Sequence, residues 1–195
     1  VLSPSGRFRL TYHTSGDAQV PNTDVAPRNG IPDFVENCAA YFDSTWVSLS
    51  EVHGFSEPVH PDDYYEITFE DMDGALGYAT GVQGPQGATR IAILNHLAGL
   101  SWSVQFPDVT PDDIARMVCT HELKHASQAA TSLWTEGDWV ELDATWSQDI
   151  VFDHENAYRR YLGGQSLGPT CLRHPPVPLD HPAELSGLSE ELLCA

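Results

Sequence analysis

The residues best suited to chemistry lie in the segment His121-Glu122-Leu123-Lys124-His125, which has the spacing H-E-x-x-H. Residues i and i+4 of an α-helix lie on the same face, about one turn apart. Two imidazoles placed in this way can bind one Zn²⁺ ion, with each nitrogen roughly 2.0–2.1 Å from the metal. Glu122 can reach a water activated by the metal and act as its general base. The spacing therefore predicts a hydrolytic zinc site.

A catalytic zinc site needs a third protein ligand. The metzincin pattern would require Gly three residues and His six residues after the second histidine, but Gln128 and Thr131 occupy these positions and exclude that class. A glutamate from a following segment is the alternative, and Glu136, Glu141 and Glu155 qualify by their order. Glu136 follows a short loop beside a glycine, which is a poor place for a rigid ligand. Glu141 begins a helical segment that can pack antiparallel to the first helix, so we expect Glu141, with Glu136 as the alternative.

The hydrophobic pattern places this motif in an α+β domain. Three segments are typical of short strands: 7–13, 64–70 and 89–95. Four segments are typical of helices: Pro32 to Leu49, Thr110 to Ala129, Trp139 to Phe152 and Glu155 to Leu162. Because the strands come early and the helices late, we expect an α+β fold with a small mixed or antiparallel N-terminal sheet. Residues 1–165 are assigned to this domain, and residues 166–195 to a Pro-rich tail packed on it.

The composition describes an acidic chain with enough apolar residues for a folded core. The 195 residues include 28 Asp and Glu against 9 Lys and Arg, which gives a net charge of −19, and Lys124 is the only lysine. Hydrophobic residues make up 41% of the chain, and no stretch approaches the roughly 18 consecutive apolar residues of a membrane span. The charge argues against nucleic acids and anionic membranes as partners and favours divalent cations or basic substrates.

Four cysteines bear on the compartment: Cys38, Cys119, Cys171 and Cys194. We favour a disulfide between the first two, which lie in two helices that could pack together, and a second disulfide that staples the Pro-rich tail. Four buried free thiols are the alternative. Two disulfides would imply an oxidising compartment. The chain begins at Val1 without an initiator Met, which fits a processed, secreted protein.

Two segments resemble the zinc core of a family of secreted bacterial metalloproteases of the gluzincin type. H-E-L-K-H-A-S-Q at 121–128 and W-V-E-L-D-A-T-W at 139–146 are similar to that family's H-E-x-x-H-x-x-Q followed by W-x-E-G-x-A-x-W. Segments 12–18 and 29–36 resemble its early strand and turn and its N-G-x-P-D-x-V-E segment. The resemblance covers about residues 7–162, with Leu142 where the family has Gly after the ligand glutamate.

The resemblance implies a zincin-like fold, in which an active-site helix is followed by a helix that carries the glutamate ligand. It also implies a zinc-dependent endopeptidase that holds its metal with His121, His125 and Glu141 and uses Glu122 as general base. A secreted monomer acting on a polypeptide substrate is expected. Strand 89–95 is predicted to be the edge strand that lines the cleft, where a peptide could add by backbone pairing.

Further residues are candidates for supporting roles at such a site. Stabilisation of the transition state could come from downstream side chains: His154, Tyr158 and Tyr161. Asp143 and Asp149 are candidate partners for a ligand imidazole, although a solvated helix face is the more common role of such residues. The spacing of the nearby tryptophans is more typical of core residues than of a ligand stack: Trp134, Trp139 and Trp146.

A calcium site is a secondary prediction. The loop that precedes the first helix carries four residues with oxygen ligands around a glycine turn: Asp24, Asn29, Asp33 and Glu36. In the register of an EF-hand, however, Val25 and Pro27 would occupy positions that should carry oxygen ligands. The pattern is therefore a degraded calcium loop.

Two other functions fit the same residues. The first is a binding domain that keeps the metal for stability without catalysis, and the second is a zinc amidase that acts on a non-protein substrate. The intact Glu122 argues against the first, because a domain without catalysis has no need of a general base.

Overall fold

The computed structural model describes residues 1–98, 109–137 and 139–153. In these ranges the chain forms strands β1 (Phe8–Thr11), β2 (Tyr65–Glu70), β3 (Gly77–Gly81) and β4 (Thr89–Leu94), and helices α1 (Asp33–Trp46), α2 (Pro111–Ser132) and α3 (Trp139–Val151). Helix α1 continues as a π-helix over Val47–Val52. The α+β class expected from the sequence is confirmed. The helix expected at 155–162 lies outside the described residues.

The four strands form one mixed sheet in the order β1-β2-β4-β3. Strands β1, β2 and β4 are parallel, and β3 is antiparallel to β4. The expectation that strand 89–95 forms an edge is wrong, because β4 pairs with β2 on one side and with β3 on the other. Its run Ile91–Leu94 is fully buried, as is typical of a strand with neighbours on both sides. The edges of the sheet are β1 and β3, and β3, which contains two glycines, is the edge strand next to β4.

Helices α1 and α2 cover one face of the sheet. Buried and half-buried residues alternate along β2, so one set of side chains faces the helices and the other faces away. The covered face contributes a row of large buried side chains: Phe8, Leu10, Tyr65, Ile67, Phe69, Ile91 and Ile93. From the helices, Phe42 and Trp46 of α1 and Leu123 of α2 pack against this row. Each such side chain contributes about 1.5–3 kcal/mol through burial, and together they fix α2 against the sheet.

Cys38 of α1 and Cys119 of α2 meet where these helices pack together. Both side chains are fully buried and are free thiols. Burial, together with the neighbouring Cys38 thiol, raises the pKa of Cys119. The two helices that were expected to pack together therefore do so, and the disulfide between Cys38 and Cys119 stays a prediction. Cys171 and Cys194 lie outside the described residues.

The chain divides into two compact units, Val1–Glu155 and Asn156–Ala195. The second unit falls outside the described ranges, so the predicted boundary after residue 165 and the packed tail stay predictions. Of the helices in the described ranges, none combines the length and the apolar character that crossing a membrane requires.

Helix α2 begins with a capping box. The Thr110 hydroxyl accepts a hydrogen bond from the backbone N–H of Asp113, and the backbone N–H of Thr110 donates to the Asp113 carboxylate at 2.8 Å. Pro111 occupies the first helical turn, where its missing N–H costs nothing. These contacts satisfy two backbone donors that a helix start would otherwise leave unpaired.

Replacing Thr110 by Ala should lower the free energy of unfolding by about 1 kcal/mol, because the side-chain cap is lost. Urea denaturation followed by circular dichroism measures this change. Thr131→Ala, an exposed Thr→Ala change in the last turn of the same helix, is the control and should leave stability within about 0.5 kcal/mol. Equal effects of the two variants would contradict a role for the cap.

Candidate metal centre

Helix α2 places His121 and His125 one turn apart, and helix α3 brings Glu141 to them. The Nε2 atoms of the two histidines are 2.9 Å apart. Glu141 Oε2 lies 3.1 Å from Nε2 of His121, and Glu141 Oε1 lies 3.3 Å from Nε2 of His125. In the described part of the chain, these three side chains form a group that could hold a metal ion. The glutamate preferred from the sequence is thus the one that meets the histidines.

The meeting of these side chains follows from antiparallel packing of α2 and α3. Gln128, late in α2, donates to the backbone carbonyl of Val140 at the start of α3. His121, two turns earlier in α2, contacts Gln148, two turns later in α3. Glu136, the alternative ligand, lies in the turn between the helices, is exposed, and accepts a hydrogen bond from Ser132.

The three side chains fit a single cation. Ligand atoms about 2.0–2.2 Å from a tetrahedral ion lie roughly 3.3–3.6 Å from each other, and the separations here, 2.9, 3.1 and 3.3 Å, are at or up to about 0.4 Å below that range, so small side-chain shifts would admit the ion. The two imidazoles hold the pKa of the Glu141 carboxyl well below its usual range, so the glutamate is an anion. The side chain of Glu141 is 72% exposed, so the group opens to solvent on its side.

The second nitrogen of each imidazole contacts a glutamine. His125 Nδ1 lies 2.8 Å from Gln128 Oε1, and His121 Nδ1 lies 3.0 Å from the side-chain amide of Gln148. Asp143, a candidate imidazole partner from the sequence, instead accepts a hydrogen bond from the Gln128 side chain. Gln128 stands at the final position of H-E-x-x-H-x-x-Q, which could have pointed to it. Gln148, two turns beyond Glu141, carried a weaker signal because its role depends on how the two helices pack.

Glu122 lies beneath the edge strand β3, beside the proposed ligands but not among them. It is 6% exposed. Burial raises the pKa of its carboxyl, while His121 and His125 and the backbone N–H of Ala79 act in the opposite direction. Its Oε2 atom is buried without a hydrogen-bond partner among the described residues. Leaving such an atom unpaired costs about 1–3 kcal/mol. A buried acceptor without a partner is therefore a candidate contact for a ligand or substrate.

Gly77 of β3 lets the edge strand approach Glu122 closely. A Cβ atom at position 77 would lie 2.9 Å from Glu122 Cγ, 2.9 Å from a methyl carbon of Val118 and 3.1 Å from the Ala92 carbonyl oxygen. Real side chains do not tolerate the two shorter distances, so any larger residue would push Glu122 or the strand aside. The glycine thus sets the space in which the Glu122 carboxylate lies.

The remaining candidate residues have different outcomes. His154, Tyr158 and Tyr161 lie outside the described residues. In the calcium loop, the Asp24 carboxylate accepts hydrogen bonds from the backbone N–H groups of Asn29 and Gly30, and the Asp33 carboxylate accepts from those of Val25 and Ala26. The Asn29 side chain donates to Glu36. These oxygen atoms organise the loop before α1, and among the described residues they do not form a cation-binding group.

The tryptophans differ from the expectation that they form core. Trp139 and Trp146 are 47% and 42% exposed, because they lie on the face of α3 that points away from Ala144 and Ser147, which are buried. Trp134 is half-buried and its indole N–H donates to the backbone carbonyl of His125 at 2.7 Å. Only this tryptophan therefore supports the helix turn that carries a metal-site residue.

Replacing Gly77 by Ala should lower the free energy of unfolding by about 1–3 kcal/mol, because the added methyl group overpacks the space between β3 and α2. Urea denaturation measures the loss. Gly81→Ala on the same strand is the matched control: its nearest contact would be the Ala88 carbonyl oxygen at 3.9 Å, so it should be neutral or slightly stabilising. If Gly77→Ala were as stable as the control, the close approach to Glu122 would be wrong.

No protein-family model, curated protein or solved structure matches this chain. The function of the site therefore has to follow from its own residues and their geometry.

Proposed function

We propose that the protein is a zinc-dependent endopeptidase with a zincin-like fold. The observation that carries the proposal is the meeting of His121, His125 and Glu141 within 3.3 Å, next to a buried carboxylate with an unpartnered oxygen. The arrangement of α2 beneath an antiparallel edge strand, followed by a helix with the glutamate, agrees with the resemblance to gluzincins.

The donor set favours zinc over calcium or magnesium. Two imidazole nitrogens and one carboxylate oxygen suit Zn²⁺, whereas Ca²⁺ and Mg²⁺ take oxygen ligands. When bound, zinc would supply Lewis-acid activation of water and of a carbonyl group. His121, His125 and Glu141 would hold the ion, and the open side at Glu141 leaves room for substrate.

Glu122 is the proposed general base. Its carboxylate adjoins the metal-site residues, and the raised pKa that burial gives it moves the group toward the range in which a carboxyl can both accept and return a proton at neutral pH. In hydrolysis, the carboxylate would take a proton from the attacking water and pass it to the amine that leaves. Both proton transfers use the Glu122 carboxylate, so its position relative to the metal ligands matters more for catalysis than its burial alone.

The outer edge of β3 is the proposed docking site for an extended peptide. Hydrogen bonds at both ends of the β3–β4 ladder join Leu76 to Leu94 and Val82 to Ala88. Because paired and unpaired residues alternate in an antiparallel ladder, Gly77, Ala79 and Gly81 direct their backbone groups away from β4. The Ala79 N–H already reaches the Glu122 carboxylate, so a peptide that pairs with this edge by β-strand addition would use the remaining backbone groups and lie next to Glu122.

Two variants separate metal binding from catalysis. His125→Ala should lose zinc because the remaining two ligands cannot hold it tightly. Glu122→Gln should keep stoichiometric zinc and lose about 10²–10⁴-fold in the rate of casein cleavage, because only the proton transfer is removed. Metal analysis and a chelator-sensitive cleavage assay measure these outcomes.

Glu136→Gln is the matched control, since it removes an exposed carboxylate that lies outside the metal group, and it should leave zinc and activity unchanged. Stoichiometric zinc in both His125→Ala and Glu122→Gln would refute the ligand assignment. A wild-type protein that carries zinc but cleaves no protein substrate would instead favour a metal-stabilised binding domain or a zinc amidase.

Secretion and a monomeric state complete the proposal. The buried, adjacent Cys38 and Cys119 could form a disulfide in an oxidising compartment. Mass spectrometry of peptides from the non-reduced protein should then find these two cysteines linked. Four alkylatable thiols in the unfolded, unreduced protein would remove the cysteine argument for secretion.

A further inference from the structure

The side chain of Gln128 has an orientation that its partners determine. Its Nε2 atom lies 3.0 Å from the backbone carbonyl oxygen of Val140 and 2.9 Å from Oδ2 of Asp143. A carbonyl and an ionised carboxylate only accept hydrogen bonds. The atom that faces both must therefore be the NH₂ group, and the amide oxygen must point to the opposite side.

That amide oxygen faces His125. Gln128 Oε1 lies 2.8 Å from His125 Nδ1, and an amide oxygen can only accept. His125 Nδ1 must then carry a hydrogen, and in a neutral imidazole the other nitrogen, Nε2, carries a lone pair. Nε2 is the atom that faces His121 and Glu141. The contacts of Gln128 thus fix the tautomer of His125 that can bind a metal through Nε2.

Asp143 is held in turn by the only lysine of the chain. Lys124 Nζ lies 2.8 Å from Asp143 Oδ2, and the lysine side chain is 4% exposed. The same ammonium lies 3.5 Å from the centroid of the Phe55 ring, a cation–π contact. A buried ammonium needs a partner, so the pair holds the Asp143 carboxylate in place as an acceptor for Gln128.

His121 lacks an equivalent support. Nε2 of the Gln148 amide lies 3.0 Å from Nδ1 of His121. Among the described contacts of the Gln148 side chain, there is no second acceptor that would fix which end of the amide faces the ring. Among the described residues, contacts therefore place the ring hydrogen of His125 but not that of His121, whose tautomer can change by a turn of the Gln148 amide.

We propose that Gln128 is a positioning residue, anchored by Asp143 and Lys124, that holds a hydrogen on Nδ1 of His125 and so assigns Nε2, the nitrogen that faces His121 and Glu141, to the metal. This inference rests on the metal site of the proposed function. It does not depend on which substrate the site hydrolyses. Partners of this kind typically change metal affinity by about 10–100-fold.

The direct test is nitrogen-15 NMR of the imidazoles in the chelator-treated protein, in alkaline buffer where histidines are neutral. Wild type should show His125 protonated on Nδ1. Gln128→Met, which keeps a similar volume and removes the acceptor, should lose this preference and bind zinc about 10–100-fold more weakly in competition with a chromophoric chelator. Gln148→Met is the control and should leave the His125 tautomer unchanged.

The double variant Lys124→Met/Asp143→Leu removes both charges without leaving either unpaired. It should weaken zinc binding less than Gln128→Met does, because the Val140 carbonyl still holds the amide. Wild-type affinity in this variant would overturn the role of Lys124 and Asp143.

Absence of a hydrogen on Nδ1 of His125 in the wild type would overturn the whole inference, even if zinc still binds and peptides are still cleaved. A wild type that has the Nδ1–H tautomer but cleaves no peptide would leave the positioning role intact and remove only the proposed activity. Failure of the wild type to bind zinc would remove both.

Discussion

The site depends on holding three groups with lone pairs, two imidazole nitrogens and a carboxylate, close together although their lone pairs repel one another. Two imidazole nitrogens from α2 and a carboxylate from α3 converge at one point. The carboxylate belongs to a different helix from the imidazoles, so only the packing of the two helices brings it there. Such an arrangement needs a shared cation or proton between the groups, and it needs a rigid frame around them. The frame is α2, packed against the sheet on one side and against α1 and α3 on others, and polar contacts help to join it to α3. Those polar contacts include the imidazoles themselves, so the packing of α2 against α3 also determines how the imidazoles are hydrogen-bonded.

The local part of the site could be predicted from the sequence, because i and i+4 residues of a helix share a face whatever the rest of the fold does. The choice of Glu141 over Glu136 also followed from local reasoning, since a helix holds a ligand more rigidly than a turn beside a glycine. The partners of the imidazoles could not be found in this way. Asp143 and Asp149 were only candidates for this role, with a solvated helix face preferred for both. Glutamines stand there, and their selection depends on the relative rotation of α2 and α3, which no spacing within one helix encodes.

The sheet shows a similar division. The α+β class and the positions of β1, β2 and β4 followed from the hydrophobic pattern, but β3 was expected only as a glycine-rich loop or hairpin, and the order of the strands did not follow. The unbroken apolar run in β4 was compatible with the interior of the sheet, and the glycines of β3 with an edge. The loop before α1 was a secondary candidate for calcium, as a degraded calcium loop, because its carboxylates cluster. The same carboxylates instead accept hydrogen bonds from the loop's own N–H groups. Composition alone does not distinguish carboxylates that bind a cation from carboxylates that accept hydrogen bonds from the backbone.

The burial of Lys124 also changes the outside of the molecule. With its single lysine enclosed against Phe55 and Asp143, the folded chain offers no lysine amine to solvent. Acylating reagents, amine-directed crosslinkers and proteases that cut after lysine have no exposed target of that kind. Surface ion pairs such as Arg7–Glu51 and Arg9–Glu66 are made by guanidinium groups, which stay charged under all physiological conditions. The surface therefore lacks the lysine amines that such agents modify, and the one lysine of the chain is enclosed in the interior.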